Sequence, residues 1–169
     1  MWIRMENILK ALKTLSEGYR RDPTLPSWIE QSFFMSKNVN LTSATFVPHE
    51  DQYHEVGNKL GPSEIVIDMG SGDLRFPLMV ASKVKKIYAV ELNPELIRIA
   101  LGVVGFHLPP NMVVICADWF DIPIPNDVTT ITCLCNDPEI PPSWFGYKVI
   151  LGGNEIQTFS PKPVGSFPQ

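Results

Sequence analysis

Three cysteines are all that this 169-residue chain holds, Cys116, Cys133 and Cys135, and no CxxC pair lies among them. An odd count without that spacing argues against a disulfide framework and against a tetrahedral zinc site. All three stand in apolar, strand-like segments, so they read as buried reduced thiols of a cytoplasmic protein. Basic clusters are equally scarce. Arg20-Arg21 and the group Lys83, Lys85, Lys86 are the largest, in a chain of net charge −4. Nucleic-acid backbones are gripped through clustered Lys and Arg, so overall charge argues weakly against such a backbone as the main partner, though a local patch is compatible with it. No stretch nears the ~20 apolar residues of a membrane span, and no membrane partner is expected. Arg4, Glu6 and Lys10 interrupt the apolar N-terminus, where a secretory signal would run unbroken. His49, His54 and His107 are scattered, with no Ser-His-Asp set and no metal-ligand cluster beside them. They read as structural or surface residues rather than catalytic bases.

What is present fits one globular domain. Hydrophobic residues make up 44% and charged residues 19% of the chain, a balance that supports a packed core. Ile3, Ile8, Leu9, Leu12 and Leu15 recur at helical spacing, which predicts an amphipathic helix over 2–19 ending near Gly18. Residues 20–48 have no clear period and contain Pro23, Pro26 and Pro48, yet they carry Trp28, Phe33, Phe34 and Phe46. So many aromatics suit a segment folded over the core edge or a site's mouth. A short helix over 49–60 leads into the Gly61-Pro62 turn. Residues 1–60 thus form a helical and lid segment and residues 61–169 a core, within a single compact domain.

The core begins with Glu64-Ile65-Val66-Ile67-Asp68, a β-branched run that reads as a buried parallel strand. Met69-Gly70-Ser71-Gly72-Asp73 follows, then a helix over 74–84 and a second strand, Lys86 to Glu91. Asn93 caps and Pro94 opens a further helix to about Gly105. Met112 to Cys116 is a third strand, Val128 to Cys135 a fourth and Lys148 to Leu151 a fifth, with Ile156 to Phe159 continuing or pairing beside it. Strands alternating with helices predict an α/β fold: a Rossmann-like, mostly parallel sheet with flanking helices.

In such sheets a ligand sits beyond the carboxyl ends of the strands. Asp68, Glu91 and Asp118 fall there in order. Gly70 and Gly72 allow a tight turn and a close approach of backbone to ligand. An acidic side chain about 20 residues beyond a glycine loop grips ribose hydroxyls, and Glu91 fits that place. The loop departs from GxGxxG, because Arg75 fills the third glycine position. A pyrophosphate would be repelled by Asp68 and Asp73, whereas a cationic sulfonium with an amino group would be attracted.

On these residues the chain resembles the class I methyltransferases that use S-adenosylmethionine. The resemblance rests on Ile65 to Asp73, Ala89 to Asn93 and Cys116 to Phe120, within residues 46–136. It implies that Asp68, Met69, Gly70, Ser71 and Gly72 hold the methionine part and that Glu91 takes the ribose. It also implies that Leu92 flanks the adenine and that Asn93 is among the cofactor-binding residues, with Asp118 accepting from the adenine amino group and Trp119 against the ring. Phe46-Val47-Pro48 and Gly70-Ser71-Gly72-Asp73 followed by Arg75 are similar to the small archaeal Dot1-like lysine methyltransferases, with Leu74 where those carry glycine. The usual class I fold closes with an antiparallel hairpin, so the fold is expected to be truncated at its C-terminal end.

After the fourth strand comes Asn136-Asp137-Pro138, a divergent form of the run that enzymes methylating exocyclic or amide nitrogens carry there. Asn136 is the candidate catalytic residue. The expected function is N-methylation of a protein side chain. Methylation of a nucleic-acid base or small molecule, and a non-catalytic cofactor-binding subunit, are the alternatives. A partner subunit or a homo-oligomer stays open. The segment from Trp28 to Tyr53 and the segment from Asn136 to Tyr147 are expected to wall the acceptor site.

Overall fold

A computed structural model describes residues 2–21, 50–135, 138–153 and 155–165. Helix α1 (Trp2–Arg21) buries Ile8 and Leu12, one turn apart, and packs Met5 and Leu9 beside them, while Glu6, Asn7 and Lys10 face solvent. Helix α2 (Glu50–Gly57) buries Tyr53 and Val56 in the same way. The sheet then begins with β1 (Ile65–Met69), followed by α3 (Arg75–Val80), β2 (Lys86–Glu91), α4 (Pro94–Val104) and β3 (Met112–Cys116). Strands β4 (Thr130–Cys133), β5 (Lys148–Leu151) and β6 (Gln157–Phe159) complete it.

The strand order is β3-β2-β1-β4-β5-β6. The first five strands are parallel and β6 runs antiparallel to β5, with Leu151 opposite Gln157. The order reverses between β1 and β4, which sets the crevice of a doubly wound sheet at their carboxyl ends. The Rossmann-like expectation therefore holds, and Ile156 to Phe159 supplies a pairing strand rather than a continuation of β5.

Side chains alternate across the sheet. Val66, Ile87, Ala89, Met112 and Ile150 face one hydrophobic cluster, to which each of the four described helices contributes buried side chains. Ile67, Met69, Val90, Ile131, Val149 and Leu151 face a second cluster. Among the described residues, that face is covered by irregular chain and one 3-10 turn, Pro142–Trp144, with Trp144 fully buried. After β3 the crossovers carry no α-helix among the described residues. Pro123, Pro125, Pro138, Pro141 and Pro142 lie in those crossovers, and a helix interior tolerates none of them. Helix α3 is also shorter than the predicted 74–84, passing at Ala81 into a 3-10 turn. The fourth strand is confined to Thr130–Cys133 within the expected 128–135.

At the end of the sheet away from the crevice, Glu64 accepts hydrogen bonds from Thr130 Oγ1 (2.6 Å) and Lys148 Nζ (3.0 Å), tying β1 to β4 and β5. Cys133 is buried and Cys135 half-buried, as expected of core thiols, but Cys116 at the end of the edge strand is exposed. No described helix is long and apolar enough to cross a membrane.

Candidate active site

The turn after β1 is built by its own backbone. Gly70 N and Ser71 N both donate to Val90 O at 2.9 Å, which pulls the loop onto the end of β2. Gly70 and Gly72 have φ of 76° and 58°, the left-handed region that glycine adopts without steric cost. The two glycines serve different needs. A Cβ on Gly70 would lie 2.6 Å from Cys135 Sγ and 2.8 Å from Trp119 Cζ3, so the loop is pressed against both side chains. A Cβ on Gly72 would meet nothing within 4 Å, so its face is open.

Two buried carboxylates flank this turn. Asp68 Oδ2 accepts from Ser71 Oγ at 2.7 Å and Oδ1 from Thr132 Oγ1 at 2.7 Å. Burial pushes its pKa up to about 7, against the lowering pull of those two hydroxyls, and the charge of Glu91 adds to the rise. Glu91 ends β2 and is 8% exposed. Its Oε2 accepts from Gly72 N (2.6 Å) and its Oε1 from Asn93 N (2.9 Å). Burial raises its pKa as well, while the amides of Asn93, Gly72 and Leu92 oppose the rise. Glu91 is therefore more than a free ribose acceptor. It joins the glycine turn to the start of α4.

The other expected site residues fall around this pair. Met69 is fully buried in the second cluster, beneath the loop. Asn93 is buried, and its Oδ1 caps α4 by accepting from Glu95 N (3.0 Å) and Leu96 N (3.4 Å). Leu92 is half-buried between Glu91 and that cap. Asp118 is half-buried and accepts from Phe120 N at 3.0 Å, an Asx turn that shapes the loop after β3. Trp119 lies against Gly70 and 6.3 Å from Trp144, ring centre to ring centre. The indole N–H groups of both tryptophans are buried without a hydrogen-bond partner. Asn136 and most of the segment from Trp28 to Tyr53 lie outside the described residues.

Further contacts around this site were not legible in the sequence. Arg75 and Asp73 form a buried ion pair, Arg75 Nε to Asp73 Oδ2 at 2.9 Å, and the guanidinium sits 5.8 Å from the Tyr53 ring centre. Gln52 hydrogen-bonds both backbone groups of Gly153, donating through Nε2 to its carbonyl and accepting from its N–H at 3.2 Å. Helix α2 thus reaches from the turn after β1 to the loop after β5. Leu74 is the only non-glycine residue with positive φ, at 68°, among those described, and it is fully buried. The left-handed backbone costs about 1–2 kcal/mol, and burial of leucine returns about 1.5–3 kcal/mol, so burial holds the strained backbone in place. The one sequence signal for it is the resemblance that sets Leu74 where the Dot1-like chains carry glycine.

The strand order, the glycine turn at the crevice and the acidic ends of β1 and β2 define a class I S-adenosylmethionine-dependent methyltransferase fold. Two solved structures share it. A tRNA methyltransferase from Aquifex aeolicus matches with a TM-score of 0.51 at 15% identity, over 62% of this chain and 47% of that one. A geranyl diphosphate methyltransferase matches with a TM-score of 0.51 at 13% identity, over 60% and 44%. In sequence, 95 residues are 33% identical to the probable ribosomal RNA small subunit methyltransferase A of Methanosarcina barkeri. That match covers 53% of this chain and 32% of the relative, so the chain spans about a third of the relative's length. No protein-family model matches the chain.

Proposed function

We propose that this chain binds S-adenosylmethionine at the glycine turn and transfers its methyl group to a nitrogen of a nucleic-acid base. The observation that carries the cofactor is the pair of buried carboxylates, Asp68 and Glu91, on either side of a turn whose Gly72 face is open. Such a site suits a ligand with cationic groups and a diol, and the residues present fit it. When bound, the cofactor supplies an electrophilic methyl group. The chain's own residues orient the ligand: Asp68 and Ser71 face the charged end, Glu91 holds the hydroxyls, and Trp119 lies against the base with the buried Trp144 packed behind it. Among the described residues no group of three or more His, Cys, Asp or Glu could hold a metal, and no step calls for one.

The nucleobase acceptor is supported by the relative in Methanosarcina barkeri, whose name describes action on ribosomal RNA. That relation favours a nucleobase over the protein side chain that the Dot1-like resemblance suggests. Asn136, following β4, is assigned the role of orienting the acceptor nitrogen. The test is transfer of a radiolabelled methyl group from S-adenosylmethionine into a cell extract, split between nuclease and protease. Label released by nuclease supports the reading, and label released by protease alone overturns the acceptor. No label, with the cofactor bound, makes the chain a non-catalytic cofactor-binding unit.

A further inference from the structure

We propose that Leu74 is a positioning residue, pinning the glycine turn in its ligand-ready shape; this rests on the reading of that turn as the cofactor site. Leu74 N donates to Ser71 O at 3.0 Å, closing the turn, and Leu74 O accepts from Leu78 N at 3.1 Å, starting α3. Its side chain is fully buried in the helix-facing cluster with Tyr53 and Phe76. The two glycines before it have little conformational preference, so nothing in them selects one loop shape. A buried apolar side chain does select one, because leaving the left-handed conformation would swing it out of the core. The pin then acts through the turn on both carboxylates. Ser71, fixed by Leu74, hydrogen-bonds Asp68, and Gly72 donates to Glu91. On this view leucine replaces glycine here because the buried side chain keeps the loop ordered before the ligand arrives, which removes an ordering cost from binding.

The test combines affinity with amide exchange. The full chain is titrated with S-adenosylhomocysteine by calorimetry, at a temperature where circular dichroism shows each variant folded. Leu74→Gly relieves the backbone but frees the loop, and its affinity is expected to fall about tenfold. Leu74→Met keeps a buried apolar side chain of similar volume and is expected to stay within about twofold of the wild type. Hydrogen exchange of the peptide spanning residues 70–74 should quicken in Leu74→Gly without ligand and stay slow in Leu74→Met. If Leu74→Gly does not fold, Leu74→Ala is read in its place. A glycine variant that melts lower yet binds as the wild type does would overturn the proposal and make Leu74 a core residue only. Wild-type amides in this peptide that exchange as freely as those near Gly165 would also overturn it. A wild-type chain that does not bind the ligand overturns the proposed function instead, and the pin is then judged on exchange alone.

Discussion

At the residue scale the site turns on a carboxyl group held where it titrates near neutrality. Asp68 in the unfolded chain has its ordinary value of 3.8, and in the fold burial lifts it to about 7. An acid whose folded pKa is raised favours the fold fully below the unfolded value and loses that contribution as pH rises through the folded one. The window is therefore about pH 4 to 7, and the loss across it is on the order of 4 kcal/mol. Asp68→Asn cannot ionise. Its melting temperature relative to wild type should rise between pH 5 and pH 8, and equal slopes for the two proteins would refute the assignment. A cationic ligand favours the ionised form, so wild-type affinity for S-adenosylmethionine should increase over the same window. Calorimetry in buffers of different ionisation enthalpy would register the released proton, and Asp68→Asn should release none.

At the scale of the element, the glycine turn shows what the sequence conveys and what it hides. Gly70 and Gly72 look equivalent in Met69-Gly70-Ser71-Gly72-Asp73, and the fold makes them different. Gly70→Ala adds a Cβ at 2.6 Å from Cys135 Sγ and 2.8 Å from Trp119 Cζ3 at a φ of 76°. Strain and overpacking together should cost about 2–4 kcal/mol, with a clear fall in melting temperature. Gly72→Ala meets no atom within 4 Å, so only its φ of 58° counts, at about 1 kcal/mol. Because its face is open, Gly72→Ala should instead weaken ligand binding. Thermal melts and titrations of the two variants would separate the roles, and equal losses of stability would refute the distinction. The order of strand, acid, glycine turn, helix, strand and acid was legible because each part is local: β-branched runs, a cap at Asn93, Pro94 at the first helical turn. The contacts of Trp119 and Cys135 with Gly70 were not, because they join loops distant in sequence. Nor was the left-handed Leu74, whose conformation is held by tertiary burial against its local preference. The irregular crossovers after β3 were written in the prolines, which a helix interior does not tolerate.

At the scale of the whole molecule, the question is how far residues 61–169 could stand without what precedes them. The N-terminal helices are spliced into the core that supports the site. Ile8, Leu12, Tyr53, Val56 and Leu60 are each 8% exposed or less and share one cluster with Val66, Ile87 and Ile150 of the sheet. Burying these five side chains contributes about 8–15 kcal/mol at 1.5–3 kcal/mol each, an upper figure because the unfolded chain is itself partly compact. A domain of this size has a net stability of about 5–15 kcal/mol. The two ranges overlap, so losing the first 60 residues removes about as much as the fold has in hand. It also uncovers the helix-facing side of β1 and β2 and takes away Gln52 from Gly153 and Tyr53 from Arg75. A fragment of residues 61–169 should therefore show no cooperative thermal transition, bind S-adenosylhomocysteine not at all, and expose apolar surface to a hydrophobic dye. The full chain should melt in one step, because the helices pack into one cluster with the sheet that also carries the second cluster. If the fragment melts cooperatively within a few degrees of the full chain, α1 and α2 are appendages, and the burial counted here contributes far less than its area implies.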